Sequence, residues 1–189
     1  MAVAPAIAGI VAITGALLWV ERRPGPVAAV PGPSACVGRR VLNAGMGKPP
    51  QIVIDCHDPA SLGSFWAKAL DYEMEQPPEG FATWPEALTA WGVPESEWNS
   101  ANAIVDPEGV GPRIFFQRVP EPKQGKNRLH LDIRVSQGPG IPIEEKRAAV
   151  HAGAERMESL GATRLGDVEE MGSYWMVMQD PEGNEFCVT

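Results

Sequence analysis

The tetrapeptide Asp-Pro-Glu-Gly occurs twice in this chain of 189 residues, at 106–109 and again at 180–183. Each copy follows an alternating, strand-like run, and these runs begin at Gln51 and at His130. From Gln51 to Asp106 is 55 positions and from His130 to Asp180 is 50, so two units of similar length follow one another. A repeat of this length favours a fold built from two equivalent modules.

The two leading runs overlay without a gap, 51–56 on 130–135. Both have apolar residues at the second, fourth and sixth places, and side chains alternate across a strand, so these places are predicted to face the core. They are Ile52, Ile54 and Cys56 in the first run, and Leu131, Ile133 and Val135 in the second. The opposite face carries Gln51, Val53, Asp55, His130, Asp132 and Arg134. Most of these are too polar for ordinary packing, which predicts that they line a wet cavity or the surface.

Each run leads into a predicted helix and then three short strands. The first helix is predicted to begin at the N-cap Asp58, with Pro59 at its first position, and to end near Leu70. The second is predicted to have acidic residues in its first turn and to stop at Gly161. The following strands are predicted near 72–75, 101–105 and 113–119 in module one, and near 163–165, 173–178 and 185–188 in module two.

The doubled strand, helix and three-strand order, the run 51–58, the aromatic Ser-Phe-Trp at 64–66 and the repeated tetrapeptide resemble the vicinal oxygen chelate superfamily. This is the group of glyoxalase I, bleomycin-resistance proteins and extradiol dioxygenases, and the likeness is to its glyoxalase-like domains. The resemblance covers about residues 48–189: module one 51–119, a linker 120–127 and module two 128–189. It implies an α+β fold in which two βαβββ modules form paired, curled mixed sheets around a central pocket, and it implies a homodimer.

For metal-dependent members, the resemblance also implies four metal ligands on the first and last strands of both modules. Carried over by position, these are Gln51, Gln117, His130 and Cys187. The chain departs from the pattern, because Cys187 stands where the family more often has glutamate, and a lengthened turn at 110–112 loosens the match at Gln117. Neutral amides and a soft thiolate suit a divalent ion poorly, so a degraded metal site is predicted.

The loss of a ligand glutamate also removes an obvious general base. Glu185 lies two residues before Cys187 on the same strand face and is predicted to serve as ligand or base in its place, together with His130. Two further interpretations stay open: His130 as a hydrogen-bonded strand histidine, and Asp132 with Arg134 as a cross-strand pair instead of a site for an anionic substrate. The predicted pocket therefore includes Asp55, Asp132 and Arg134.

The tryptophans divide into two groups. Trp66 and Trp175 are predicted to belong to the core, whereas three others lie in an insertion between Pro77 and Ser100. This insertion is longer than the loops that usually join neighbouring strands, and long loops often cover binding sites. The stretch 84–91 is predicted to form a short helix over the pocket or at a dimer contact. The alternative is that Trp84, Trp91 and Trp98 only plug the end of module one.

Residues 1–47 form an extension that differs from the rest. The stretch 2–20 is uncharged and reaches the lower length limit for a membrane-spanning helix. Three interpretations stay open: a membrane anchor, a signal-like segment, and a translation start at Met46 that leaves this stretch out of the protein. A membrane is a partner only if residues 2–20 are translated and retained; otherwise a cytoplasmic location is predicted.

The net charge and the number of cysteines limit the classes of function that this chain can have. Residues 51–189 hold 11 Lys and Arg against 23 Asp and Glu, a net charge of −12, which argues against nucleic-acid binding. Three cysteines without a Cys-x-x-Cys pair fit free thiols in a reducing compartment. Two hypotheses remain. One is a module that binds a small molecule without a metal, and the other is a metal-dependent lyase, isomerase or dioxygenase that acts on a small oxygenated substrate.

Overall fold

Two successive modules of one strand, one helix and three strands make up the fold, as the repeat predicts. The computed structural model describes residues 50–136, 138 and 140–189, and the predictions for residues 1–47 lie outside that part of the chain. Module one contains β1 (Ile52–Cys56), α1 (Pro59–Leu70), β2 (Glu73–Met74), α2 (Trp84–Ala90), a 3-10 helix (Glu95–Ser100), β3 (Ala101–Val105) and β4 (Ile114–Arg118). Module two contains β5 (Asp132–Ile133), α3 (Ile143–Ser159), β6 (Thr163–Glu170), β7 (Ser173–Gln179) and β8 (Glu185–Val188).

The two sheets have the same strand order. Module one runs β1-β4-β3-β2 and module two runs β5-β8-β7-β6. In both, the first strand pairs in parallel with the last, and the remaining pairs are antiparallel. The sheets remain two separate four-stranded mixed sheets. The predicted α+β class with two βαβββ modules is therefore confirmed.

The first helix begins and ends where its sequence predicts. The Asp58 carboxylate accepts a hydrogen bond from the Ser61 N–H at 3.1 Å, which satisfies one of the free donors at the helix start. Pro59 occupies the first turn, where its missing N–H costs nothing. The helix ends at Leu70 because Asp71 takes the left-handed conformation, with a φ of 56°.

Both tetrapeptides form the same turn. The carboxylate of Asp106 accepts the Glu108 N–H at 2.9 Å, and that of Asp180 accepts the Glu182 N–H at 3.0 Å. The glycine that closes each turn has a positive φ, 67° at Gly109 and 84° at Gly183, a conformation that side chains disfavour. The repeated motif therefore sets the direction in which the last strand of each module leaves its turn.

Two strands differ in length from their predictions. β6 extends to Glu170 instead of ending near 165, because a two-residue turn at Met171 and Gly172 joins it to β7. Met171 has a φ of 49°, a conformation that methionine rarely adopts. Because Asn, Asp or Gly usually takes this position of a hairpin turn, the methionine gives no signal for a turn here. β5 is only two residues long, and Val135, which was predicted to be buried, lies beyond it and is 37 % exposed.

The predicted division between core and outer face otherwise holds. Cys56 and Ile133 are buried, Ile52, Ile54 and Leu131 pack against the core, and all six residues predicted for the opposite face are exposed. The core continues from one module into the other, since Phe186 of β8 packs against Phe65 and Trp66 of α1, with ring centroids 6.1 and 5.3 Å away. Trp66 is 2 % exposed, which confirms its predicted place in the core.

A glutamate from the second turn also joins the modules. The Glu182 carboxylate accepts hydrogen bonds from the backbone N–H groups of His57 and Asp58 at 2.8 Å, directly before α1. Negative charge is favourable at a helix start because the unpaired N–H groups there carry partial positive charge. The two residues that connect β1 to α1 are thereby held against the second turn of module two.

Replacing Glu182 with alanine should lower the free energy of unfolding by about 1–2 kcal/mol, because two backbone donors lose a charged acceptor at a partly exposed position. The matched control is Glu108→Ala, which changes the same position of the first tetrapeptide. Glu108 is exposed and its carboxylate has no hydrogen bond or ion pair among the described residues, so a change within about 0.5 kcal/mol is expected there. Urea unfolding measures both, and equal losses would contradict a junction role for Glu182.

Within the described residues, no helix combines the length and apolar character that crossing a bilayer requires.

Candidate functional site

Three possible metal-binding or catalytic side chains meet at the parallel pair of strands in module two. β5 and β8 place Asp132 opposite Cys187, and His130 comes just before β5. The potential ligand atoms of these three residues all lie within 4.8 Å of one another, and His130 Nε2 is 3.8 Å from Asp132 Oδ1. In the described part of the chain, no other three His, Cys, Asp or Glu side chains meet in this way. His130, Asp132 and Cys187 are called the module-two cluster below.

The thiol of the cluster is held in its protonated form. Burial raises the pKa of Cys187, and the negative charge of Asp132 together with a hydrogen bond to it raises this pKa further, while Lys126 opposes the shift. Burial, followed by the charges of Glu182 and Asp55, raises the pKa of Cys56 to about 12. A thiolate is the form that attacks electrophiles or binds metals, so neither thiol is activated at neutral pH.

An open cavity of ≈ 690 Å³ adjoins the module-two cluster. It is lined by Lys126, His130, Asp132, Val168, Ser173, Tyr174, Trp175, Val177, Glu185, Phe186, Cys187 and Thr189. Its acidic and basic groups come from β5, β8 and the segment before β5, whereas β6 and β7 contribute the apolar Val168, Trp175 and Val177 together with Ser173 and Tyr174. Every lining residue belongs to the linker end or to module two, so this cavity is formed without residues of module one.

Trp175 lies in the cavity wall and not in the core, so its predicted place was wrong. It is half-buried on β7, whereas its neighbours Tyr174 and Met176 are 4 % and 2 % exposed. Alternation along a strand allows only one of two adjacent residues to face the core. The same alternation places Val177 beside Trp175 on the cavity side, so the sequence itself carries the signal for this arrangement.

Glu185 lines the same cavity but is engaged with the linker. Its carboxylate accepts the Asn127 N–H at 3.1 Å and lies 3.0 Å from Lys123 Nζ. The hydrogen bond from Asn127 and the contact with Lys123 lower the pKa of this carboxyl. A carboxylate with a lowered pKa is a weak base, which argues against Glu185 as the proton acceptor of a reaction.

On module one, the side-chain oxygen of the predicted ligand Gln51 is already hydrogen-bonded to an arginine. Arg113 Nη1 donates to Gln51 Oε1 at 2.7 Å, and the same guanidinium pairs with Glu75 through two hydrogen bonds of 2.7 and 2.5 Å. Its Cζ lies 5.2 Å from the centroid of the Phe115 ring. A metal ion at Gln51 would meet a fixed positive charge that already holds the amide oxygen.

The predicted ligand Gln117 does not take the position on β4 that Cys187 takes on β8. It is opposite Asp55, and its Nε2 donates to Asp55 Oδ1 at 3.0 Å. In the gap-free overlay Val53 corresponds to Asp132, and Val53 is opposite Phe115, so the module-one counterpart of Cys187 is Phe115 and not Gln117. The exposed Arg134 corresponds to Asp55. None of Gln51, Gln117 and Arg134 lines the cavity beside His130.

A second cavity, of ≈ 370 Å³, lies where the modules meet. It is lined by Asp55, Cys56, His57, Val119, Glu121, Pro122, Lys123, Glu182 and Asn184. The structure therefore divides the predicted site residues, with Asp55 here and His130, Asp132, Glu185 and Cys187 in the module-two cavity. Sequence reasoning missed Glu182, because its partners at His57 and Asp58 are more than a hundred residues away.

Comparison with known proteins identifies the family. The model of the glyoxalase-like domain family matches residues 51–189. The chain therefore belongs to the glyoxalase-like domain family, within the vicinal oxygen chelate superfamily. None of the curated proteins matches it.

The chain is similar to several solved structures at low sequence identity. A glyoxalase/bleomycin resistance protein/dioxygenase family enzyme from Burkholderia phytofirmans PsJN is 14% identical, with a TM-score of 0.48 over 73% of this chain and 94% of that one. The fosfomycin resistance protein FosX from Listeria monocytogenes is 11% identical, with a TM-score of 0.50 over 76% and 92% of the two chains. A mutant of that FosX, complexed with Mn(II) and a dihydroxypropylphosphonic acid, gives 12% identity and 0.49 over 76% and 89%.

Proposed function

We propose that this glyoxalase-like protein binds a small molecule in the module-two cavity and does so without a metal ion. The observation that carries the proposal is the composition of the cavity, in which the polar His130 and Asp132 line the same space as the apolar Trp175 and Val177. Binding sites of this kind are mostly apolar, with a few polar groups that orient the ligand. A ligand with a flat apolar part and a polar end suits this arrangement.

Two features support binding without a metal. Arg113 holds the amide oxygen of Gln51, and its positive charge opposes a cation at that place. In module two, the raised pKa of Cys187 means that a metal would first have to displace the thiol proton. The pocket proposed here lies on module two, whereas the family resemblance implies one between the two modules.

The binding proposal is tested with a thermal-shift screen of small aromatic and carboxylic metabolites in buffer that contains EDTA. A ligand present at 100 times its dissociation constant adds about 2.7 kcal/mol to the free energy of unfolding, which is readily visible as a higher melting temperature. Trp175→Ala and His130→Ala should remove the shift, and Gln51→Ala, the module-one counterpart of His130, should retain it. A shift that depends on Gln51 and not on His130 would refute the module-two site.

One observation favours the second candidate, a metal-dependent enzyme. The module-two cluster offers nitrogen, oxygen and sulfur donors within 4.8 Å of one another, and these are the donors that zinc takes in proteins. Three protein ligands would leave a position open for substrate, and a bound metal would polarise an oxygen of that substrate. Elemental analysis of protein purified without chelator separates the candidates: stoichiometric metal that is lost in His130→Ala but kept in Gln51→Ala would favour the enzyme.

A further inference from the structure

The insertion 77–100 presents a cluster of aromatic rings at the surface of module one. Phe81 and Trp84 both pack edge-to-face against Trp91, with ring centroids 5.5 and 6.5 Å away. Trp84 and Trp91 are 36 % and 41 % exposed. The indole N–H of Trp84 donates to the Glu75 carbonyl oxygen at 2.7 Å, which fixes that ring while part of it stays exposed. These three residues are called the aromatic surface below.

The helix that carries Trp84 and ends directly before Trp91 is firmly built. Thr83 caps α2 by accepting the Glu86 N–H at 3.3 Å, and the Glu86 carboxylate accepts the Ala82 N–H at 2.9 Å. This arrangement resembles a capping box, except that the Glu86 carboxylate accepts from the residue before the N-cap instead of from the N-cap itself. Ala87, on the inner side of the helix, is 0 % exposed. The aromatic surface is therefore a fixed feature, as a docking site requires.

The chain around the aromatic surface is strongly acidic. Residues 69–112 hold nine Asp and Glu and no Lys, Arg or His. Glu75 and Glu97 are neutralised by Arg113 and Arg118. Among the described residues, no ion pair forms at the exposed Glu79, Glu86 and Glu95, which leaves their negative charges in the insertion itself.

The negative charge of the insertion indicates which kind of partner can bind the aromatic surface. A second copy that docked through the same surface would bring like charges together, and nucleic acids and anionic membranes are repelled for the same reason. A small ligand needs a concave site, and neither described cavity is lined by a residue of the insertion. A cationic segment of another protein is attracted, and an arginine side chain can both stack on an indole face and pair with a carboxylate.

We propose that the aromatic surface, with Glu79 and Glu95, docks an extended, arginine-bearing segment of a partner protein. Extended proline-rich segments bind aromatic-lined surfaces in this way, because their backbone loses little entropy on binding. Module two has no corresponding insertion, since a two-residue turn connects β6 to β7. The docking surface is thus an addition to one copy of the duplicated module, separate from the module-two cavity.

The charge requirement is tested with a fluorescent ten-residue peptide of alternating arginine and proline, whose binding to the full chain is followed by fluorescence anisotropy. Replacing each arginine with neutral citrulline should weaken binding at least about tenfold. The double variant Glu79→Gln with Glu95→Gln should also weaken it by about 5- to 10-fold at low salt. The control is Glu144→Gln with Glu155→Gln, which removes the same charge from exposed positions of α3 and should leave the affinity within about twofold.

The aromatic requirement is tested with Trp91→Ala, which should weaken binding at least about fivefold. Circular dichroism and thermal unfolding check that this variant is folded. If it is not, the double variant at Glu79 and Glu95 and its α3 control test the proposal. Trp175→Ala serves as the comparison, because it alters the module-two cavity and should leave peptide binding unchanged. Equal weakening by the α3 control, equal affinity for the citrulline peptide, or no binding at about 1 mM protein would overturn the proposal.

Discussion

Replacing Phe186 with alanine is expected to lower the free energy of unfolding by about 3–5 kcal/mol, which is the usual cost of removing a fully buried phenylalanine. Phe186 is 0 % exposed and packs against Phe65 and Trp66 of α1, so its loss opens a cavity between the modules. A loss of this size is a large fraction of the stability of an ordinary domain. Urea unfolding followed by tryptophan fluorescence measures it.

The control is Phe115→Ala, on the outer face of the first sheet. Phe115 is half-buried and contacts the Arg113 guanidinium, so a loss of about 1–2 kcal/mol is expected there. If both variants lost the same amount, the ring cluster between α1 and β8 would not be the main junction of the modules. Because Phe186 also lines the module-two cavity, the variant should be assayed for ligand binding only at temperatures where it is folded.

Replacing Asp180 with asparagine has the second largest expected effect, a loss of about 2–3 kcal/mol at neutral pH. Asp180 is 3 % exposed, and its Oδ2 accepts the indole N–H of Trp66 at 3.2 Å. Its Oδ1 accepts the N–H groups of Glu182 and Asn184 at 3.0 and 2.9 Å. An amide has one acceptor oxygen, so the substitution would set an NH₂ group against the buried Trp66 donor.

The same substitution has a predictable dependence on pH. Burial raises the pKa of the Asp180 carboxyl above its ordinary value of 3.8, and hydrogen bonds from Asn184 and Trp66 offset this only in part. The folded protein therefore holds this proton more tightly than the unfolded chain. Stability from this proton is complete below pH 3.8 and is lost as the pH rises through the raised pKa. Asparagine has no such proton, so the difference in stability between the two proteins should shrink from about pH 4 to pH 7.

The matched control for Asp180→Asn is Asp106→Asn in the first tetrapeptide. Hydrogen bonds from the backbone N–H groups of Gly111 and Glu108 lower the pKa of Asp106, the opposite direction. Its contribution is present above the unfolded pKa and is lost as the pH falls, so the deficit of this variant should grow from about pH 4 to pH 7. Parallel pH profiles for the two variants would show that burial does not distinguish the two turns.

How far the sequence predicted the fold depends on the range of each signal. The first helix, both tetrapeptide turns, the 84–90 helix and the strands at 101–105 and 185–188 agree with their predictions, because caps, turns and alternation are set by residues a few positions apart. The extent of β6 was not predictable, since Met171 gives no turn signal. The place of Trp175 was predictable, because its neighbours Tyr174 and Met176 occupy the face of β7 that points to the core.

The candidate site was predicted less completely. His130, Asp132 and Cys187 were all named from the sequence, and the structure brings them together. Arg113 was not foreseen, although it decides what Gln51 can do, because its pairing depends on how β4 lies against β1. The four-ligand set, the catalytic roles of His130 and Glu185, the homodimer and the form in which residues 1–47 occur all stay predictions.

The sequence by itself determined that the domain is a duplicated α+β unit whose outer strand faces carry polar residues, since repetition and alternation are written along the chain. Only the tertiary structure decided which residues distant in the sequence meet: Cys187 with Asp132, Gln51 with Arg113, Asp180 with Trp66 and Glu182 with the start of α1. These pairings join positions 55 to 125 residues apart. Strand register and side-chain packing fix such contacts, and neither is encoded by neighbouring residues alone.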